Sequence, residues 1–310
     1  MPALLKFIHI SDPHLKPPGH KLWGLDPQER FERCLADIEA WHEDASFCVI
    51  SGDLADAGEP GAYDWLRERL RAFALPCHLM IGNHDHRDTF KAHFPDTPAD
   101  ENGFVQHAFD TPEGRFVLLD TFKGGTSAGE FCAQRQSWLR RELDEASDQP
   151  VWLFMHHPPF DISIPYMDRI KLEDHEAFSE LIASHDDIRH IFYGHVHRAG
   201  YVNWQGIACT SLPSINHQVP LSRMAVAGKP YSNEPPMYGV VLINMPRSPS
   251  TSMPTITAAS STYRPESRDG QPLRQNPPCF YPQEGPLELF IGPDCYKCPW
   301  AYTVTSRFPV

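Results

Sequence analysis

A chain of 310 residues with 41% hydrophobic and 11% aromatic side chains is long and apolar enough to bury a large core, which excludes disorder over most of its length. Its 27 Lys and Arg against 40 Asp and Glu give a formal net charge of -13, the wrong sign for gripping the phosphate backbone of a nucleic acid polymer. The N-terminus lacks a charged leader, and no apolar run approaches the roughly 20 residues that span a bilayer, so a cytoplasmic protein without a membrane partner is expected.

Short apolar runs near 4 to 10, 47 to 51, 77 to 81, 115 to 120, 151 to 155 and 190 to 193 read as strands. Longer stretches with helical spacing separate them, and that alternation predicts an α/β fold. After the first strand, Asp26 is placed to cap a helix, with Pro27 at its first position and Glu29 closing a capping box. Phe31, Leu35, Ile38 and Trp41 then share one face. Tyr63, Leu66, Leu70 and Phe73 mark a second helix, Trp138, Leu139 and Leu143 a third, and Phe178, Leu181 and Ile182 a fourth; these stripes are core packing. Beyond the apolar run Tyr238–Asn244 the composition turns rich in Pro, Ser and Thr. Residues 1–245 are therefore expected to form the folded domain and residues 246–310 an irregular or poorly ordered tail. The cysteines are scattered, several within apolar runs, which suits buried reduced thiols. The lone Cys295-x-x-Cys298 pair lacks the second pair of a zinc ribbon.

Five strands end alike, in an apolar run followed at once by oxygen or imidazole ligands. They read Ile10-Ser-Asp12-Pro-His14, Ile50-Ser-Gly-Asp53, Ile81-Gly-Asn83-His84-Asp85, Met155-His156-His157 and Tyr193-Gly-His195-Val-His197. Each alone is a chance pattern, and a single strand-end histidine is usually a satisfied polar group. Five in order can converge outside the carboxyl ends of an α/β sheet, which makes coincidence a poor account. Histidines outside these motifs, among them His9, His42, His93, His107 and His185, are read as solvated or packed.

The series D-x-H, G-D, G-N-H-[D/E], H and G-H-x-H resembles the signature of the calcineurin-like metallophosphoesterases, over about residues 4 to 217. The resemblance implies a four-layer sandwich of two mixed β-sheets flanked by helices. It also implies that Asp12, His14 and His197 hold one metal, that Asn83, His156 and His195 hold the second, and that Asp53 bridges them. Adjacent strand residues point to opposite sides, so only one of His156 and His157 can face the metals, and the resemblance favours His156. Nitrogen and oxygen ligation without thiolate suits Fe, Mn, Zn or Co.

A phosphoester resists water because its anionic phosphate repels nucleophiles, and two ions roughly 3.5 to 4 Å apart would activate a water and clamp the phosphoryl oxygens. Two divalent ions, two carboxylates and a hydroxide sum to about +1, which a diester monoanion neutralises. His84 resembles the family histidine that faces the phosphate beside Asn83, with Asp85 placed to orient its ring. The segment Ser211–Gln218 resembles bacterial phosphodiesterases of the cyclic-nucleotide and glycerophosphodiester type, and makes His217 a substrate-facing candidate. The expected function is hydrolysis of a small anionic phosphodiester by attack of a metal-bound hydroxide. The alternatives are a phosphomonoesterase or nucleotide pyrophosphatase on the same site, or a non-catalytic scaffold. Related diesterases self-associate, so a homo-oligomer is a further expectation from the resemblance.

Overall fold

The computed structural model describes residues 4–220, 231–232, 234–244 and 255–262. The chain order is β1 (Leu5–Ile10), α1 (Pro27–Trp41), β2 (Cys48–Ser51), α2 (Pro60–Ala72), β3 (Cys77–Met80), α3 (Arg87–His93), β4 (His107–Thr111) and β5 (Gly114–Leu118). It continues with α4 (Ala133–Glu145), β6 (Val151–Met155), α5 (Pro165–Asp168), α6 (His175–Ile182), β7 (Ile188–Tyr193), β8 (Gly200–Trp204), β9 (Ile207–Ser211), β10 (Met237–Asn244) and β11 (Thr255–Thr262). One sheet runs β11-β10-β1-β2-β3 and the other β4-β5-β6-β7-β9-β8. Both are mixed: β1, β2 and β3 are parallel, as are β5, β6, β7 and β9, while the outer partners run antiparallel.

Period-two alternation in the strands builds the layers. In β1, Leu5 and Phe7 point between the sheets while Ile8 and Ile10 face helices; in β6, Trp152 and Phe154 point inward and Val151, Leu153 and Met155 outward. The layer between the sheets is aromatic. Phe7 lies 5.1 Å from Phe47, 5.5 Å from Phe116 and 5.7 Å from Phe192, ring centre to ring centre. Burying each such ring stabilises by roughly 1.5–3 kcal/mol. α1, α2 and α3 cover the first sheet through Phe31, Leu35, Tyr63, Leu66 and Phe90, and α4 and α6 cover the second through Trp138, Leu139, Phe178 and Leu181. The result is the four-layer sandwich with two mixed sheets.

Asp26 caps α1 by accepting from the backbone N–H groups of Gln28 and Glu29, both at 3.1 Å. Two details of that helix differ from expectation. The Glu29 carboxylate pairs with Arg33, one turn on, rather than closing a capping box, and Trp41 is exposed because the buried face of α1 stops at Ile38. β4, β8 and β9 carry no long apolar run and escape the strand pattern. β8 and β9 join at Gln205-Gly206, both at positive φ, a two-residue hairpin turn. Within the stretch expected to be irregular, residues 255–262 form an edge strand paired along its length with β10. Cys295 and Cys298 lie outside the described residues, and the described cysteines are free. No helix among the described residues is long and apolar enough to cross a membrane.

Because β1, β2 and β3 are parallel, as are β6 and β7, the five motif loops leave their sheets at carboxyl ends. Cross-loop backbone hydrogen bonds then tie them together: His14 N–H donates to Asp53 O at 2.8 Å and Gly194 N–H to His156 O at 3.1 Å.

Candidate metal centre

Two half-sites share one carboxylate. On one side the ligand atoms of Asp12, His14, Asp53 and His197 all lie within 4.8 Å of one another. His14 Nε2 stands 3.0 Å from His197 Nε2 and 3.4 Å from Asp53 Oδ2, and His197 Nε2 stands 3.3 Å from Asp12 Oδ1. On the other side His156 Nε2 lies 3.3 Å from Asn83 Oδ1 and 3.4 Å from Asp53 Oδ1. Asp53 therefore turns one oxygen to each half. The His195 backbone N–H donates to both oxygens of Asp12, at 3.1 and 3.2 Å, and its ring sits 5.2 Å from that of His156. All seven sequence-derived candidates meet here, and Asp12, His14, Asp53, His156, His195 and His197 are buried.

The groups around the cluster fix which ring atom faces it. His156 Nδ1 is 2.8 Å from Ser51 O, His197 Nδ1 is 2.9 Å from His217 O, and His14 Nδ1 is 3.2 Å from the Asp56 carboxylate. Each Nδ1–H donates to an oxygen, so each Nε2 lone pair turns inward, the tautomer a metal ligand needs. Space is reserved in the same way. A Cβ on Gly82 would collide with Asp53 Oδ1, and one on Gly194 would come within 2.9 Å of Ser51 O. Gly52 adds a conformational requirement, with φ of 98°. Asp12, His14, Asp53, His195 and His197 all hold positive φ, an uncommon region for residues with a side chain.

Electrostatics show what the cluster lacks. Burial pushes the Asp12 and Asp53 carboxyls up, but the imidazoles of His197 and His156 win and hold both well below the carboxylate range. Burial pulls His156 down, yet Asp53 and Asp12 outweigh it and push this imidazole up to about 9. Burial and the neighbouring His156 push His195 down to about 3, and its Nε2 is buried with no hydrogen-bond partner among the described residues. The charge of two buried carboxylates is thus offset by a proton that they hold on the His156 ring, with no Lys or Arg in the cluster. Divalent cations fit this donor set, since they would displace that proton and give the orphaned nitrogen a partner.

His84 lies at the edge of the cluster, 4.6 Å from the His14 ring. Its backbone N–H donates to Asp53 Oδ1 at 2.8 Å, and its Nδ1 to the Asp56 carbonyl at 2.7 Å. Asp85 does not orient that ring. Its carboxylate accepts from the backbone N–H groups of Leu54, Ala55 and Gly82 and from the Tyr63 hydroxyl, clamping the loop that carries Asp53. Burial and the nearby Asp53 push its carboxyl up to about 6. The adjacency of Asp85 to His84 in sequence is misleading because the chain turns between them. His217 packs its ring 4.8 Å from His14 and 4.7 Å from His197.

His157 corrects a premise. β6 ends at Met155, so strand alternation no longer separates the two histidines, and both rings approach His195. They part by partner: His156 faces Asp53 and Asn83, while His157 Nδ1 lies 2.7 Å from Thr121 Oγ1. Asp56 and Thr121 are the groups around the site that sequence reading passed over. Asp56 stands three residues beyond Asp53 without an apolar run before it, and Thr121 follows a strand with no motif.

A family model described as calcineurin-like phosphoesterase matches residues 5–199. A probable cyclic nucleotide phosphodiesterase from Rhodopseudomonas palustris is 38% identical over 246 residues, which cover 78% of this chain and 90% of that one. A glycerophosphodiester phosphodiesterase from Enterobacter lignolyticus is 30% identical over 217 residues, 68% of this chain and 78% of the other. Among solved structures, a dimetal phosphatase from Danio rerio superposes with a TM-score of 0.60 over 84% of this chain and 96% of its own, at 15% identity. With a converging cluster of these residues on two mixed sheets, and a match that spans every motif loop, the chain belongs to the calcineurin-like phosphoesterases.

Proposed function

We propose that residues 1–245 carry a hydrolase of small phosphodiesters, of the cyclic-nucleotide or glycerophosphodiester type, that works with two divalent metal ions. The observation that carries the reading is Asp53 turning one carboxylate oxygen to each half of the cluster. The names of the two relatives above, both phosphodiesterases, support the substrate class. Bound there, two ions of Fe, Mn, Zn or Co would activate a water and draw in an anionic phosphate.

The chain's own residues do the rest. Asp12, His14 and His197 would hold one ion, Asn83, His156 and His195 the other, and Asp53 both. The second hydrogen bonds to Ser51 O, His217 O and Asp56 keep the rings from turning. Asn83 and His84 would contact the phosphoryl oxygens. Because His84 Nδ1 is committed to the Asp56 carbonyl, Nε2 is the atom that would pass a proton to the leaving oxygen. Asp12, His14, Asp53, His156, His195 and His197 are buried, while Asn83, His84 and His217 are partly exposed.

The test is a rate panel on a bis-aryl phosphate, an aryl monophosphate, cyclic AMP and a glycerophosphodiester, with wild type, Asp53→Ala and chelator-treated protein. Diester hydrolysis lost in both treatments is expected. Undiminished turnover after either would remove the metals from the reading, and a preference for the monoester would replace diesterase with phosphomonoesterase.

A further inference from the structure

Trp23 and Tyr231 form an aromatic pair on the surface. Their ring centres stand 4.6 Å apart with planes at 21°, yet the residues remain 46% and 41% exposed. Trp23 also sits where a large side chain is unfavourable. Leu22 and Leu25 exchange both backbone hydrogen bonds, at 2.9 Å, around Trp23 and Gly24, whose φ values are 53° and 81°. That is a two-residue type I′ hairpin, which favours Asn or Gly at its first central position. An exposed indole at its tip contributes nothing to the core, so the fold alone does not account for the strain held there.

Chain connections tie both segments to the loop that carries His217. The hairpin lies between His14 and α1, in a segment fastened by Gln28 Nε2 donating to Lys16 O at 3.1 Å. Arg30, two residues further, donates to Asn216 O at 2.7 Å and so ties this segment to the loop of His217. On the other side Ser232 exchanges backbone hydrogen bonds with Gln218, at 2.7 and 2.9 Å. The Tyr231 Cα therefore lies within about 13 Å of the His217 Cα, reckoned through the pairing.

We propose that the Trp23–Tyr231 pair is a platform on which the nucleobase of a diester stacks while its phosphate occupies the cluster. The proposal rests on the diesterase reading and deepens it to nucleotide diesters. A base offers a planar face to an aromatic ring, and the two exposed rings supply one on segments tied to the loop of His217. A glycerophosphodiester has no such face, so the pair separates two substrates that the cluster alone would treat alike.

The test uses the full chain and three variants. Trp23→Gly removes the ring and suits the positive φ, so its melting temperature should not fall. Tyr231→Leu keeps an apolar side chain without an aromatic face, and Trp23→Phe keeps a ring. KM and kcat are measured for cyclic AMP and for a glycerophosphodiester, and Kd for AMP and for glycerol 3-phosphate. Trp23→Gly and Tyr231→Leu should each raise the cyclic AMP KM and the AMP Kd about tenfold or more, the loss expected of one base–aromatic stack. The glycerol ligands and Trp23→Phe should change less than about twofold on the same ground. Equal changes for both ligand classes, or none for the nucleotides, would overturn the platform. So would a changed oligomeric state in Tyr231→Leu with AMP binding intact, since the pair would then be a subunit contact. A wild type that hydrolyses no diester would sink the activity reading, while the binding of AMP against glycerol 3-phosphate still decides the stack.

Discussion

Replacing Gly82 by alanine tests whether the cluster is built to fit its own backbone. Gly82 is absent from the residues at positive φ, so the substitution changes volume and leaves conformation alone. The added Cβ would collide with Asp53 Oδ1 and come within 2.6 Å of both Asp53 N and His156 Cε1, where real Cβ atoms keep at least 3.0 Å. Neither neighbour yields easily: Asp53 is held by the His84 N–H at 2.8 Å and His156 by Ser51 O at 2.8 Å. Overpacking of this kind costs about 1–3 kcal/mol. In a chain of this size that lowers the melting temperature by about 2 to 10 °C. Displacing the carboxylate shared by both halves of the cluster should also weaken metal binding by about 10- to 100-fold, the usual effect of disturbing groups around a metal site. The assay pairs thermal melts of the chelator-treated protein with a metal titration, and Gly124→Ala, whose Cβ would meet nothing within 4 Å, serves as the neutral control. Melts and titrations of Gly82→Ala that coincide with the wild type would refute the reasoning.

Three further outcomes are expected. Phe7→Ala removes a fully buried ring from the layer between the sheets and should cost about 3–5 kcal/mol in urea unfolding; a loss under about 1 kcal/mol would mean that the two sheets repack freely. His84→Ala should bind metals as the wild type does yet lose about 10²-fold or more in kcat on a diester with a poor leaving group, and unchanged kcat there would make His84 structural. Burial, reinforced by His78, pushes His107 down to about 4. The unfolded chain then binds the proton first, so stability is whole above pH 6.5 and is lost as pH falls through about 4. The share at stake is about 3 kcal/mol, and His107→Leu should flatten the acid limb of a stability-against-pH curve. An unchanged acid limb would exclude His107 as its source.

The sequence was most legible where a local rule and a global need coincided. Asp26-Pro27 starts α1 because the carboxylate caps free N–H groups and the proline ring suits the first turn, and the strand-end ligands show because each apolar run stops abruptly at a polar residue. It was least legible where the chain turns back on itself. Asp85 reads as a partner of His84 by adjacency, but its carboxylate reaches 30 residues back to the N–H of Ala55. His157 reads as pointing away because strand alternation was carried two residues past the end of β6. β4 and β8 are strands through their hydrogen-bonded partners rather than their composition, and no single-chain pattern announces a partner.

The left-handed backbone at Asp12, His14, Asp53, His195 and His197 carries a consequence for the history of such a chain. Each of these conformations costs a side-chain-bearing residue of order 1–3 kcal/mol, which glycine would avoid, although at Asp12 and Asp53 it would also strand the backbone N–H groups of His195 and His84. Stability and reactivity are therefore opposed at His14, His195 and His197. Relaxed selection on such a chain would drift downhill, toward tougher and inert descendants. The strain at these positions serves what the cluster does and not the fold that carries it.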